Sequence, residues 1–186
     1  MNFVDVVDLN NLIRDNRYTD IDLPENVSEF ITNITEARKN SKTLMPLGKN
    51  YQYTGAAGEH VICRLFNEEM NTDIYDGKGD GGTDLVWRGQ TIQVKATTIP
   101  TDGRGYSPYL IFFMGERLRC DIYILVGVYD NKACIYGWIT REELNNKWRV
   151  DRSGKYKPDK YNNSRERRVL YMNQLNCNEY DTRGKR

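Results

Sequence analysis

Residues 121–128, Asp-Ile-Tyr-Ile-Leu-Val-Gly-Val, carry almost nothing but apolar and β-branched side chains on consecutive positions. A strand sends alternate side chains to opposite faces, so a run without alternation needs cover on both. Ala133–Ile139 reads as a second strand, with Asp130-Asn131 supplying the turn between them. Thr140 then caps a helix beginning Arg141-Glu142-Glu143-Leu144, with Glu143 at the capping-box position. Upstream, Tyr109–Phe113 reads as a strand, and two β-rich runs, Thr83–Arg88 and Thr91–Ala96, flank Gly89-Gln90 as a hairpin.

The first 46 residues read as helical wrapping. Asp22-Leu23-Pro24 opens a segment in which Val27, Phe30, Ile31, Ile34 and Ala37 recur at helical spacing. Thr54 offers an N-cap for a helix from about Gly55 to Glu69, whose inward stripe is Ala56, Ile62 or Cys63, and Phe66. Glu59 lies along that stripe, and a carboxylate facing the body of a protein needs a basic group or a cation beside it. Ile74-Tyr75 reads as a short strand before a glycine-rich loop, Asp76–Gly82. Helices, then consecutive strands, then a helix give an α/β sandwich around a mixed sheet.

Composition narrows the chemistry. Of 186 residues, 39% are apolar, enough for a buried core. No apolar run approaches the eighteen residues a membrane helix needs, and Met1–Asp5 lacks a basic region leading into an apolar stretch; a cytoplasmic protein is expected. The cysteines at 63, 120, 134 and 177 form no Cys-x-x-Cys pair, and His60 is the only histidine. Structural zinc and histidine-based nucleophilic catalysis therefore lack their residues, so any metal must be a hard cation held by oxygens. Charge is uneven: residues 1–140 hold 14 Lys+Arg against 19 Asp+Glu, whereas residues 141–186 hold 13 against 7. A basic C-terminal quarter on an acidic body suits a polyanionic partner, or else a solvated tail.

With Gly89-Gln90 as the hairpin loop, Arg88 faces Thr91, Val86 faces Gln93 and Asp84 faces Lys95. Asp84, Val86, Gln93 and Lys95 then share one face, and Leu85, Trp87, Ile92 and Val94 share the apolar other. A carboxylate, an amide and an ammonium thus converge, with Glu59 able to add a second carboxylate. A plain cross-strand ion pair is the alternative, contributing only about 0.2–1 kcal/mol. The four glycines ahead of Asp84 suit close approach of a ligand backbone better than a simple connection. His60 is rotated about 100° from Glu59 and reads as a surface or packing residue.

Gly81-Gly82-Thr83-Asp84, eight intervening residues and then Gln93-Val94-Lys95 resembles the PD-(D/E)xK nuclease superfamily. It is most similar to the branch with Gln in place of the second acid, as in Mrr-type restriction enzymes and archaeal Holliday-junction resolvases. Glu59 is similar to the helix glutamate that many members use as an additional metal ligand. Thr83 stands where the family name has Pro, and Gln93 removes one metal-binding charge. The resemblance spans roughly residues 55–140 and implies a restriction-endonuclease-like αβββαβ core with a mixed central sheet. Around it, residues 1–50 would form an N-terminal helical extension, 51–145 the nuclease-like core and 146–186 a basic C-terminal region, disordered from about Thr182.

The resemblance also implies a metal-dependent nuclease hydrolysing phosphodiester bonds in DNA. Glu59, Asp84, the Gln93 amide oxygen and the Val94 carbonyl would hold Mg²⁺ or Mn²⁺, and Lys95 would position the nucleophilic water. Arg104, Lys147, Arg149, Arg165, Arg167 and Arg168, some interleaved with aromatic residues, would contact DNA, including branched or single-stranded forms. Family members that cut two strands work as homodimers. The alternative is a non-catalytic nucleic-acid-binding or protein-partner module on the same fold.

Overall fold

The computed structural model describes residues 3–16, 20–23, 29, 32, 49–70, 82–99, 109–113, 118–151, 167–171 and 175–176. The elements are α1 (Phe3–Asn16), β1 (Ile21–Asp22), α2 (Lys49–Phe66), β2 (Leu85–Trp87), β3 (Gln90–Thr98), β4 (Tyr109–Phe113), β5 (Ile122–Tyr129), β6 (Lys132–Thr140), α3 (Arg141–Lys147), β7 (Arg149–Asp151) and β8 (Arg167–Tyr171). The fold is α/β. A five-stranded sheet runs in the order β1-β6-β5-β3-β2, and a three-stranded sheet runs β4-β8-β7. β3 and β5 are parallel and every other pairing is antiparallel, so the large sheet is mixed.

The apolar run at 121–128 forms the middle of that sheet, and Ile122 through Val128 are all buried. Alternation divides the core in two. Ile122, Ile124, Val126 and Val128 pack with Ile92, Val94, Ala56, Ile62 and Leu9 under the helices, while Tyr123 and Leu125 pack with Leu110, Leu144 and Leu170 on the other face. The sandwich is therefore finished by a second sheet on one side. β4, one of the strands read from sequence, lies in that sheet, paired with β8 from the basic C-terminal region. Such long-range pairing leaves no trace in local periodicity. Residues 24–28, 33–48, 71–81 and 177–186 lie outside the described residues. With them go most of the helix read over 22–46, the strand at Ile74-Tyr75 and the end of the chain from Thr182.

Helix α2 starts at Lys49, well ahead of the Gly55 start that a Thr54 cap implies. Thr54 is buried instead, and its hydroxyl is 2.9 Å from that of Thr98 at the end of β3. At the other terminus Asn67 adopts φ 55°, with Asn67 N–H donating to the Arg64 carbonyl and Glu68 N–H to that of Cys63. This is a Schellman ending, with asparagine taking the left-handed position glycine usually fills. Phe66 meets Trp87 edge to face at 5.2 Å. The contacts Thr54–Thr98 and Phe66–Trp87 mean that α2 runs antiparallel to β3, across its whole length.

Asp121 ties the leading ends of β3, β5 and α3 together. Its carboxylate accepts from the Thr91 amide (3.1 Å), the Thr91 hydroxyl (2.8 Å) and the Arg141 guanidinium (3.2 Å). Thr140 and Glu143 complete the expected capping box on α3, and Glu143 also accepts from Asn176 at 2.7 Å. Partial burial works to raise both acids, but hydrogen bonds and cations outweigh it and hold each pKa below its ordinary value. A carboxyl depressed in the folded state contributes stability above its unfolded pKa and loses it as pH falls through the folded one. The melting temperature should accordingly hold from pH 7 to 5 and drop below about pH 4, where unfolded Asp and Glu titrate. Thermal melts of Asp121→Asn should show a shallower drop, and an equally steep one would refute the clasp's role.

Candidate active site

The hairpin turns on Arg88 and Gly89, with φ of 48° and 77°. Two consecutive left-handed residues make a type I′ turn, in which glycine takes the second position. The sequence-based register placed glycine first and so set the loop one residue late. The observed partners are Trp87 with Gln90, Val86 with Thr91 and Leu85 with Ile92, so Asp84 does not face Lys95. Arg88 tolerates its backbone because its guanidinium lies 4.7 Å over the Trp87 ring and pairs with Asp8. Because the correction moves the pairing by two residues, facing is unchanged: Leu85, Trp87, Ile92 and Val94 are buried and Val86 is 52% exposed.

Asp84 sits where β2 gives out. Leu85 is the register partner of Ile92, yet the Asp84 amide donates to the Ile92 carbonyl at 2.9 Å. Two residues addressing one is the pattern of a β-bulge, which re-aims a side chain. The Asp84 carboxylate accordingly turns along the sheet edge and accepts from the Val94 amide at 2.6 Å. It is 6% exposed. A strand residue's N–H and C=O point to the same side, so the Val94 carbonyl opens on the edge that Asp84 occupies. Beyond Ile92 no described strand pairs with β3 on this side.

Glu59 approaches from α2 and is 9% exposed. Cys63, one turn further along the same helix face, records the field between the two acids. Burial pushes its thiol up to about 12, helped by the charges of Glu59 and then Asp84. The charges of both buried carboxylates thus act on one thiol, with Glu68 adding a smaller contribution. His60 is half-buried on the same helix, and burial and then Arg64 hold its pKa below the ordinary value.

Gln93 and Lys95 leave β3 on the face away from α2. Their register neighbours in β5 are Tyr123 and Leu125, which belong to the core beneath the second sheet. Val94 and Ala96 point toward the helix. The glutamate therefore does not close over the lysine from the same side, and the two faces meet at the β3 edge beside Asp84, which beyond Ile92 has no strand partner among the described residues. Gln93 reaches toward the glycine loop, its Nε2 3.5 Å from where a Cβ on Gly82 would stand. The Cys120 thiol donates to the Gly82 carbonyl at 2.8 Å, anchoring the chain two residues before Asp84. Cys120 is also fully buried in the core beneath the second sheet, and no local signal marks its contact with residue 82.

The donor set suits a hard cation. Mg²⁺ is held by one or two carboxylates plus waters and phosphate oxygens, and Glu59, Asp84 and the Val94 carbonyl are all oxygen donors. Among the described residues no three His, Cys, Asp or Glu side chains gather into a metal-holding group. Of the residues expected to contact DNA, Lys147 ends α3, paired with Glu143 at 3.2 Å. Arg149 stands opposite Val169, Arg167 opposite Phe113 and Asp151, and Arg168 opposite Phe112 and Val150, all in the second sheet. Arg104 and Arg165 lie outside the described residues. No helix among the described residues is long and apolar enough to cross a membrane. Compared with known protein families, curated proteins and solved structures, the chain matches none of them.

Proposed function

We propose that this protein is a metal-dependent nuclease that hydrolyses phosphodiester bonds in DNA, built on a restriction-endonuclease-like core of the PD-(D/E)xK type with Gln in the second acidic position. The observation that carries this reading is the Asp84 carboxylate hooked onto the Val94 amide. It puts an acid beside the central residue of Gln93-Val94-Lys95, on a strand edge with no partner beyond Ile92 among the described residues, and Glu59 on α2 acts through its charge on the same Cys63 thiol as Asp84 does. Glu59, Asp84, the Val94 carbonyl and the Gln93 amide oxygen would hold Mg²⁺ or Mn²⁺. Bound there, the ion lowers the pKa of a coordinated water and polarises the phosphate. Lys95 would orient the attacking water and stabilise charge developing on phosphorus. Arg149, Arg167 and Arg168 lie in the second sheet and Lys147 at the end of α3, supplying cations for the DNA backbone together with Arg104 and Arg165.

A second reading, a non-catalytic DNA- or protein-binding module on the same fold, is favoured by one observation. Gln93 and Lys95 lie on the opposite face of β3 from the helix that carries Glu59. Incubation with supercoiled plasmid, single strands and a four-way junction separates the two. Cleavage of at least one substrate is expected with Mg²⁺ or Mn²⁺ and none with EDTA. Lys95→Ala should lose about 10²–10³-fold in rate, the usual cost of a lost transition-state contact, while still binding DNA in gel shifts. Binding without cleavage in every metal would establish the second reading.

A further inference from the structure

The gap between α2 and β3 is set at one residue. A Cβ on Gly58 would lie 2.7 Å from the Ala96 Cβ, 3.5 Å from Val94 Cγ1 and 3.6 Å from the Val126 Cβ. The nearest of these is bonded directly to the strand backbone, so no side-chain rotation can relieve the clash. Three residues earlier on the same helix, a Cβ on Gly55 would meet nothing within 4 Å. Close approach is therefore a property of Gly58, and a glycine inside a helix is kept at a conformational cost that this contact explains.

The location matters because of its neighbours. Glu59 follows Gly58 directly, and Val94 is both a neighbour of Gly58 and the residue whose amide holds Asp84. The contact that brings the helix down onto the strand thus lies one residue from Glu59 and involves the residue whose amide holds Asp84. Ala96 supplies the other half of the fit, since any larger side chain there would meet the helix backbone. We propose that Gly58 and Ala96 are positioning residues for the Glu59–Asp84 pair, and that the helix–strand gap they permit determines the affinity for the divalent cation. The proposal rests on the nuclease reading of this site.

A methyl group at residue 58 would lift α2 away from β3. Glu59 would travel with the helix, while Asp84 would stay with Val94. The Thr54–Thr98 and Phe66–Trp87 contacts hold α2 on either side of Gly58, so the lift is local.

The test measures Mn²⁺ binding by calorimetry and the Mg²⁺ dependence of plasmid cleavage. It uses the full chain well below its melting temperature, as wild type, Gly58→Ala, Gly58→Ala with Ala96→Gly, and Gly55→Ala. Gly58→Ala is expected to weaken Mn²⁺ binding and raise the Mg²⁺ midpoint about tenfold, the scale of losing a group that supports a metal ligand. Removing the opposing methyl in the double variant should restore both toward wild type, and Gly55→Ala should change neither. A purely structural role would lower the melting temperature and leave both metal readouts in place. Should Gly58→Ala not fold, Ala96→Val adds bulk from the strand side and carries the same expectation. If the wild type binds metal and cleaves, and the altered protein does so at unchanged concentrations, the proposal is overturned while the nuclease reading stands. A double variant that stays impaired overturns it too. A wild type that neither binds Mn²⁺ nor cleaves overturns the nuclease reading itself, and the positioning role with it.

Discussion

Asp84→Asn is expected to abolish metal-dependent cleavage while leaving the protein folded. Asparagine keeps an oxygen that can accept from the Val94 amide, so the hook at the sheet edge survives. What it removes is the negative charge, and with it one of the two carboxylates available to a cation. The loss in rate should reach at least the ~10²–10³-fold typical of a single preorganised electrostatic contact. Asp84→Ala should be worse in a different way. It strands a buried backbone N–H beside Val94, which costs about 1–3 kcal/mol of stability on top of the lost activity. Cleavage rates and denaturation curves for the pair separate the two roles of this side chain. An Asn variant that cleaves at the wild-type rate would remove Asp84 from the site.

Trp138→Ala should be the most damaging change to the fold. The side chain is 1% exposed and packs in the core beneath the helices. Its indole N–H also donates to the Asn10 side chain at 3.1 Å, tying α1 to β6. Deleting a fully buried tryptophan costs about 3–5 kcal/mol through lost transfer energy and the cavity left behind. For a chain of this length that is a fall in melting temperature of roughly 10 °C. Asn10→Ala keeps the indole in the core while removing its hydrogen bond and should cost about 1 kcal/mol. Calorimetry on the two variants tests the ordering, and a larger effect at Asn10 would mean that the bond rather than the packing holds α1 in place.

Much of the architecture was legible because it is local. β4 was read over the five residues it occupies, and the two central strands to within a residue at each end, because apolar β-rich runs bounded by polar turns have few other uses. The capping box at Thr140 and Glu143 needs only four consecutive residues, and it is present. The face assignment also held for Leu85, Trp87, Ile92, Val94 and Val86, since parity along a strand survives a shift of two, whereas Asp84 is turned to the sheet edge. Two local signals misled. Glycine at 89 fits either position of a two-residue turn, and only the backbone of Arg88, supported by the Trp87 ring and Asp8, selects the second. Thr54 looks like a cap, but its hydroxyl is engaged by Thr98, 44 residues away.

Residue chemistry alone pointed to an α/β protein with a sheet covered on both sides, and to oxygen donors as the expected ligands of any cation. It also singled out Asp84, Gln93, Lys95 and Glu59 as a group. Tertiary structure decided how those residues meet: the aspartate hooks the Val94 amide at a bulge, the lysine and the glutamate approach from opposite faces, and glycine 58 sets the distance between the layers. The reason is one of range. Apolar pattern and capping are energies of neighbouring residues, whereas the place of Asp84 is made where the pairing of β2 with β3 ends, and that is settled only when distant segments pack.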